Sequence, residues 1–591
     1  MSNQLITNYF RLHNANQFRE SVSETANSVY YVFAGYHSTY PSGDSVIPEI
    51  TNTVDAGFYD PLQETVFGKR VTPSDVAILT SRYNWTTNTY YSAYRSGDIL
   101  TDAQYYVCVD GGASFHVFKC LDNNANTVST IEPDVTQTSP DDEYYSTSDG
   151  YVWKYMYSVD SATFNKFATT DYMPVVANNQ VVGNAVSGSI DSVVVSFKGS
   201  NYNTFLTNTF ISTDLRVGGD PLKYNIASTA NPANNFYTGS FLYIVNGLGY
   251  GQGREIVTYL ASGVSKTITI ATPFDVALDV TSQYQITPAV RISGNGDGAT
   301  ARALVNTSLS NTVTGVEILT RGSGYTYATA VVVGNTGGIT NTAILDVVMG
   351  PSGGHGSNPE YELGASAVGV SVTFANSEVG TIPVSNDFRM VGLLKDPLYA
   401  NVVLTVGSPT ASFVVGEAVL QANTGATGVV TEWDSISSLS LTDVAGIFLT
   451  GNTTVKYITG NTSGATGSVS TYMNNGVSKG FDTFNQLSRF TFTPVYGTFQ
   501  ADESVYQTDV SVANAVFHSN SASTIYLSHI NGTINTGNTI TGITSGATAN
   551  LTFAYPPDLV VGSGEVLYIE NGSKITRSNT QSEQIKLVLQ F

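Results

Sequence analysis

Positive charge is scarce in this sequence. Its 591 residues include 25 lysines and arginines against 46 aspartates and glutamates, a formal net charge of −21 at pH 7. Nucleic-acid binding relies on Lys and Arg to displace phosphate counterions, so nucleic acid is not an expected partner, and neither is an anionic membrane surface. Charged residues of both signs make up only 12% of the chain, too few for helices laced with ion pairs. There are two cysteines, Cys108 and Cys120, flanking Asp110-Gly111-Gly112. Two thiols in so long a chain make no disulfide framework. Free thiols, suited to a reducing cytoplasm, are expected, with a cross-hairpin bond as the alternative. No apolar run approaches the roughly 18 residues of a membrane span. The start, Met1-Ser-Asn-Gln-Leu-Ile6, lacks a charged region followed by an apolar run, so no signal peptide is expected.

Motifs for chemistry are equally scarce. No P-loop, C-x-x-C or H-E-x-x-H occurs, and the six histidines are scattered. No catalytic, cofactor-binding or metal-ligating residue is therefore expected. Gly249-Tyr-Gly-Gln-Gly-Arg254 lacks the G-x-G-x-x-G frame and a following helix, and reads as a turn. Gly294-Asn-Gly-Asp-Gly298 offers one carboxylate, Asp297, and reads as a glycine turn before a cation loop. His355 sits among glycines with no serine or cysteine elbow beside it, which makes it a structural loop histidine. Nothing favours paired carboxylates for glycoside hydrolysis.

What is abundant is glycine (55), tyrosine (36) and phenylalanine (27), with 41% hydrophobic residues overall. That composition can bury real cores and favours short strands joined by many turns. The fold class expected is mainly β, with an α+β N-terminal domain and inserted small β-sandwich or barrel modules in a multi-domain chain. The length allows about four domains.

The spacing predicts a helix over residues 3–27, with Phe10, Asn14, Gln17 and Phe18 at helical positions. Ser28–Tyr36 reads as a strand. A second short helix is placed at Pro61–Phe67 or Pro73–Leu79, the latter introduced by Thr72-Pro73-Ser74-Asp75. Tyr90–Tyr94, Tyr105–Val109 and Phe115–Leu121 read as strands. Residues 132–149, with Glu132, Asp134, Asp141, Asp142 and Glu143, read as a solvated acidic loop or a docking surface. Asp149-Gly150 is turn chemistry, and nine aromatic or β-branched-rich residues follow it. Tyr151, Trp153, Tyr155 and Tyr157 alternate with Val152, Lys154, Met156 and Ser158, so one face should be wholly aromatic. A core strand is the first reading, and a ligand platform the second.

From about residue 186 the texture changes. Ile190–Tyr202 echoes Val313–Tyr325, each an alternating strand ended by Gly-Ser-x-Tyr, as two copies of a small β unit. The region closes on the glycine-rich loop 351–359. The strongest repeat lies in 401–554. Phe413, Glu417 and Gln421 recur as Phe499, Glu503 and Gln507 at an offset of 86, and Gly460-Asn-Thr-Ser-Gly-Ala-Thr recurs as Gly542-Ile-Thr-Ser-Gly-Ala-Thr at 82. Two tandem β modules with a four-residue loop indel follow, too few for a solenoid.

Four blocks carry a family resemblance. They are Tyr30-Tyr-Val-Phe-Ala-Gly-Tyr36; Val117-Phe-Lys-Cys-Leu-Asp122 with Asp149-Gly-Tyr-Val-Trp-Lys-Tyr155; Asp387-Phe-Arg-Met-Val-Gly-Leu-Leu-Lys-Asp-Pro-Leu398; and Gly564-Glu-Val-Leu-Tyr-Ile-Glu-Asn571 with Ser582-Glu-Gln-Ile-Lys-Leu-Val-Leu-Gln-Phe591. In this order they make the chain resemble the dimeric baseplate wedge subunit of T-even-like contractile-tailed phages (myoviruses), over residues 1 to about 180, about 366 to 400, and 555 to 591. The resemblance implies a wedge domain of 1–185 completed by return strands in 366–400 and by C-terminal strands in 555–591. Inserted into it are a Gly-rich β domain at 186–365 and the tandem modules at 401–554. It further implies a structural, non-enzymatic part of the virion, assembled in the host cytoplasm. Its partners would be a second copy (a homodimer) and other wedge proteins, with no cofactor, nucleic acid or membrane involved. The alternative is a carbohydrate- or receptor-binding tail protein, because the Asn/Thr/Gly-rich modules with aromatics offer sugar-stacking faces, although nothing in the sequence supports glycan binding directly. A secreted polysaccharide-degrading enzyme lacks both a signal peptide and a catalytic constellation. Ile585, Leu587, Leu589 and Phe591 are expected to bury one face of an ordered last strand.

Overall fold

A computed structural model describes residues 6–24, 28–51, 53–54, 60–95, 104–139, 144–210, 215–333, 339, 341–378, 387–400, 402–451, 456–474, 477–478, 482–507, 512–555, 557–578 and 580–591. The chain is mainly β, with several sheets and small barrels. Its contacts divide it into two compact units, residues 1–12 with 79–366, and residues 13–78 with 367–591. The expected 1–185 segment is thus shared between both units. Strand pairing gives the reason. Tyr30–Gly35 pairs with Thr65–Arg70 and, far along the chain, with Asp387–Lys395. Among the described strands, Tyr106–Asp110, Ser114–Asn123, Tyr151–Asp160 and Tyr144–Ser146 form a sheet of their own.

In the first unit these four strands form one antiparallel sheet. A larger sheet of eleven strands fills residues 190–349. Its long strand Gln283–Gly294 serves two cores. One is built from Phe210, Tyr224, Leu242, Tyr259, Ile268 and Tyr284. The other includes Ile190, Val193, Tyr202, Val290, Tyr325 and Val332. The echo between 190–202 and 313–325 has a structural counterpart. Gly199 and Gly322 both take positive φ, +58° and +63°. A Cβ on either would meet backbone atoms at 2.5–2.7 Å and the ring of the tyrosine three residues on, Tyr202 or Tyr325, at 2.8–2.9 Å. Only glycine lets the chain turn there beneath a covering ring.

The second unit is built on a five-stranded sheet in the order Thr483–Asn485, Thr65–Arg70, Tyr30–Gly35, Asp387–Lys395, Glu565–Thr576. Glu583–Gln590 pairs along Ala367–Phe374 in unbroken register. The repeat forms two modules. In the first, Val402–Gly407 pairs with both Ser438–Ala445 and Thr466–Asn474, which closes six strands on themselves. The second is a closed six-stranded barrel from Ser488–Tyr496 to Thr548–Tyr555. The first module shares one continuous core with the sheet, from Tyr31 and Leu394 through Tyr399 and Phe484 to Leu404 and Ile458. The second has a core of its own around Phe490, Val505, Phe517, Ile525 and Leu551.

Several local expectations shift. The first helix spans Asn8–Ser23 and buries Leu12, Ala15 and Val22, leaving Phe10 exposed. Asp60–Glu64 is helical, but Thr65 onward is strand, and Pro73–Asp75 is a single 3-10 turn before the strand Val76–Ser81. Tyr90–Tyr94 is not a strand, although Tyr91 and Tyr94 are buried. In the acidic loop Glu132 and Asp134 are exposed, whereas Asp141, Asp142 and Glu143 lie outside the described residues. Cys108 and Cys120 are free and buried. The last strand is ordered, but it lies at a sheet edge. Only Leu587 on its apolar face is buried, while Ile585 and Leu589 are half-buried and Phe591 is exposed. Among the described residues no helix is long and apolar enough to cross a membrane.

Candidate functional site

The aromatic strand Tyr151–Asp160 starts from a carboxylate hub. Asp149 accepts hydrogen bonds from the backbone N–H groups of Thr130 (2.8 Å) and Ile131 (3.0 Å) and from the Ser129 hydroxyl (3.1 Å). Burial would raise its pKa, but these bonds and one from Thr147 hold it below the ordinary aspartate value. The strand's faces differ from strict alternation. Tyr155 stands opposite Phe118, and Tyr157 opposite Val117. Phe118 and Val117 are neighbours on one strand and point to opposite faces, so Tyr155 and Tyr157 do too. Met156 is the extra residue of a bulge. Tyr151, Trp153 and Tyr155 fill one core with Tyr91, Phe118 and Cys120. Tyr157 crosses to the other face, where its hydroxyl donates to the Pro174 carbonyl. Both faces are covered by protein, which leaves no aromatic platform for a ligand.

That other face carries the most unusual chemistry of the first unit. Lys119 and Lys154 stand directly opposite each other on paired strands, a repulsive arrangement unless anions intervene. Two do. Lys119 Nζ donates to Asp191 at 2.7 Å and to Glu362 at 2.5 Å, and Lys154 Nζ lies 3.5 Å from Asp191. Arg321 reaches the same carboxylate at 3.8 Å and donates to the carbonyls of Ile190 and Asp191. The lysines and carboxylates are at most 1% exposed. Asp191 is the second residue of the strand Ile190–Phe197, and Glu362 ends the short helix Pro359–Glu362, which Asn358 caps. Burial works against both anions, but the lysines outweigh it. Asp191 is held far below the ordinary range by Lys119 and Lys154, and Glu362 is lowered to about 2 by Lys119 and His355. For Lys119, burial favours the neutral amine, yet the two carboxylates raise its pKa overall.

His355 completes the network. Its Nδ1 is 3.0 Å from Glu362 and its Nε2 is 2.8 Å from the Tyr155 carbonyl. Both neighbours are acceptors, so both bonds form together only when the ring carries two protons. Burial and then Lys154 press its pKa downward, and Glu362 opposes them. The sequence suggested a loop histidine, and the structure holds it in a buried ionic lattice. Apart from Arg321, which is partly exposed, the lattice side chains are buried, and they tie sheets, loop and helix together. Residues 119, 154, 191, 321, 355 and 362 share no sequence spacing, so no local pattern could have revealed them.

Gly249–Arg254 is a hairpin turn, with Arg254 bonded to Asp275 and the Pro273 carbonyl. Gly294–Gly298 is likewise a hairpin end, where Asn295 binds Thr326. The histidines are less scattered than the sequence suggests. His37, His518 and His529 converge in the second unit, beside Glu64 and Asp502. Compared with known proteins, the chain matches no family model and no curated protein.

Proposed function

We propose that this chain is a structural component of the baseplate wedge of a contractile phage tail. In this reading it acts as a homodimer that holds neighbouring wedge proteins and accommodates their rearrangement when the sheath contracts. The observation that supports the reading is where the resembling blocks fall. Tyr30–Gly35, Asp387–Lys395 and Glu565–Thr576 come from three blocks hundreds of residues apart, yet they are adjacent strands of one sheet. Val117–Asp122 lies on the strand paired with Tyr151–Asp160. The residues that carry the resemblance lie on paired strands, and the segments without it, 186–365 and 401–554, hold the eleven-stranded sheet and the two six-stranded modules. A mechanical part suits a chain that locks its buried charged groups against one another. Affinity for neighbours would come from large interfaces anchored by aromatic side chains.

The test is a density map of the whole tail, with sedimentation of the purified chain. A dimer in solution, placed in the baseplate periphery, supports the reading. A chain absent from purified particles sinks it.

A further inference from the structure

Three of the six histidines meet where the second barrel joins the sheet framework of the second unit. His37 lies two residues past the strand Tyr30–Gly35, and Glu64 ends the helix Asp60–Glu64. His518 lies on Ala513–Asn520 and His529 on Thr524–Asn531, neighbouring strands of the barrel, and Asp502 lies in the turn before Ser504–Gln507. The His37 ring centroid is 4.6 Å from that of His518 and 5.0 Å from that of His529. His529 Nε2 is 3.1 Å from Glu64 Oε1. Ligand-capable atoms of His37, Glu64 and His529 all lie within 4.8 Å of one another, and so do those of His37, Asp502 and His518.

His37 is the shared member of both sets, and it is 1% exposed. Its Nε2 sits 3.3 Å from the Ser38 hydroxyl, while its Nδ1 is buried with no hydrogen-bond partner among the described residues. A buried imidazole nitrogen left unbonded is costly, and an ion there would relieve it. Donors around a zinc-class ion sit about 2.0–2.2 Å from it, hence about 3–4 Å apart, so side-chain movements of about 1 Å would close the set. Glu64 and His529 are half-buried to exposed, which leaves an entry path. Imidazoles with a carboxylate select borderline transition ions over calcium or magnesium, which prefer oxygen shells.

We propose that His37, His529 and Glu64 bind one divalent transition-metal ion of the zinc class. Two ligands come from the framework and one from the barrel, so the ion staples the barrel to the sheet. The site is independent of any role in a tail.

The test titrates the EDTA-stripped full-length chain with Zn2+ by calorimetry, with Mg2+ and Ca2+ as comparisons and Co2+ absorption as a readout of imidazole ligation. One Zn2+ per chain is expected, with a melting temperature that rises on binding. His529→Ala, at an exposed position, should lose binding, and Glu64→Gln should weaken it at least about tenfold. Both should keep the native circular dichroism, and His116→Ala should bind as the native chain does. No Zn2+ uptake by the native chain overturns the proposal. So does uptake unchanged in both variants, or Mg2+ binding as strong as Zn2+ binding.

Discussion

The carboxylate of Glu417 accepts a hydrogen bond from the Ser463 hydroxyl at 2.7 Å, and in the next module Glu503 accepts one from Ser545 at the same 2.7 Å. The match extends to the backbone. Glu417 also takes the N–H groups of Val414, Thr462 and Ser463, and Glu503 those of Gln500, Thr544 and Ser545. Gln421 brackets Leu449 through its N–H and carbonyl, as Gln507 brackets Asn535. Each glutamate pins a Thr-Ser-Gly-Ala turn against the start of its module.

Removing that acceptor strands several buried donors. Glu417→Ala and Glu503→Ala should each cost about 2–3 kcal/mol, the range of hydrogen bonds to a charged group. Burial would raise both glutamate pKa values, but the bonds lower them below the ordinary value. A depressed carboxylate stabilises the fold above the unfolded-state pKa and loses that contribution as pH falls through the folded one. The mutational cost should therefore shrink on acidification below about pH 4. Urea melts at pH 7 and pH 3 check this, and an equal cost at both would contradict it.

The Lys119–Asp191–Glu362 lattice predicts a larger effect. Asp191→Asn leaves Lys119, Lys154 and Arg321 facing a neutral group in a dry interior, at a cost of about 3–5 kcal/mol. Because Asp191 and Glu362 both have depressed pKa values, the native chain should lose stability as pH drops from about 4.5 towards 2. Denaturation midpoints across that range measure it. A change under about 1 kcal/mol for Asp191→Asn, the size of an ordinary substitution, would falsify the assigned role.

Asp558 points the other way. Burial raises its pKa to about 6, against hydrogen bonding from the Asn485 N–H. An unfolded aspartate releases its proton near 3.9, so between there and about 6 the folded state holds more protons and stability falls as pH rises. Asp558→Asn keeps an acceptor for the Asn485 N–H and removes the charge. It should raise stability by about 1–3 kcal/mol at pH 7 and by nothing near pH 3.5. A destabilised variant at pH 7 would show that the carboxylate is needed ionised.

Trp153 is fully buried, stacked on Tyr151 at 5.4 Å and edge-on to Tyr91 at 5.9 Å. Trp153→Ala should cost about 3–5 kcal/mol in a chemical melt.

What the sequence made legible is what short-range chemistry encodes. The Glu417/Glu503 and Gln421/Gln507 recurrences were visible because each clasp reuses the same residue types at nearly the same spacing. The hairpin around Asp110-Gly111-Gly112 was visible because turn and strand residues alternate locally. The face taken by Tyr157 was not, since a one-residue bulge at Met156 leaves no compositional mark. Nor was the strand Thr483–Asn485, too short to show a period, yet seated beside Thr65–Arg70. The charge lattice and the histidine cluster are assembled from residues up to hundreds of positions apart, and only tertiary pairing brings them together.

That short strand revises where the chain can be cut. The sequence suggests that 401–554 is one removable insert. Its first module, however, shares its core with the sheet, and Phe484, fully buried against Tyr31, lies between the two modules. The second barrel instead hangs from a closed neck. The Asn485 N–H donates to the Asp558 carboxylate at 2.7 Å, and the Asp558 N–H donates to the Asn485 carbonyl at 3.0 Å. Gln486 and Leu559 exchange a second pair of bonds one residue further on. Chain entry and exit are thus fastened before the barrel begins, and its core is its own. Removing Ser488–Tyr555 and bridging the neck with a short glycine linker should leave a chain that melts cooperatively. Removing 401–554 deletes an edge strand and opens a core, so that product should aggregate or melt without cooperativity. Calorimetry of the two deletions decides, and a cooperative melt for the larger deletion with none for the smaller would reverse the assignment.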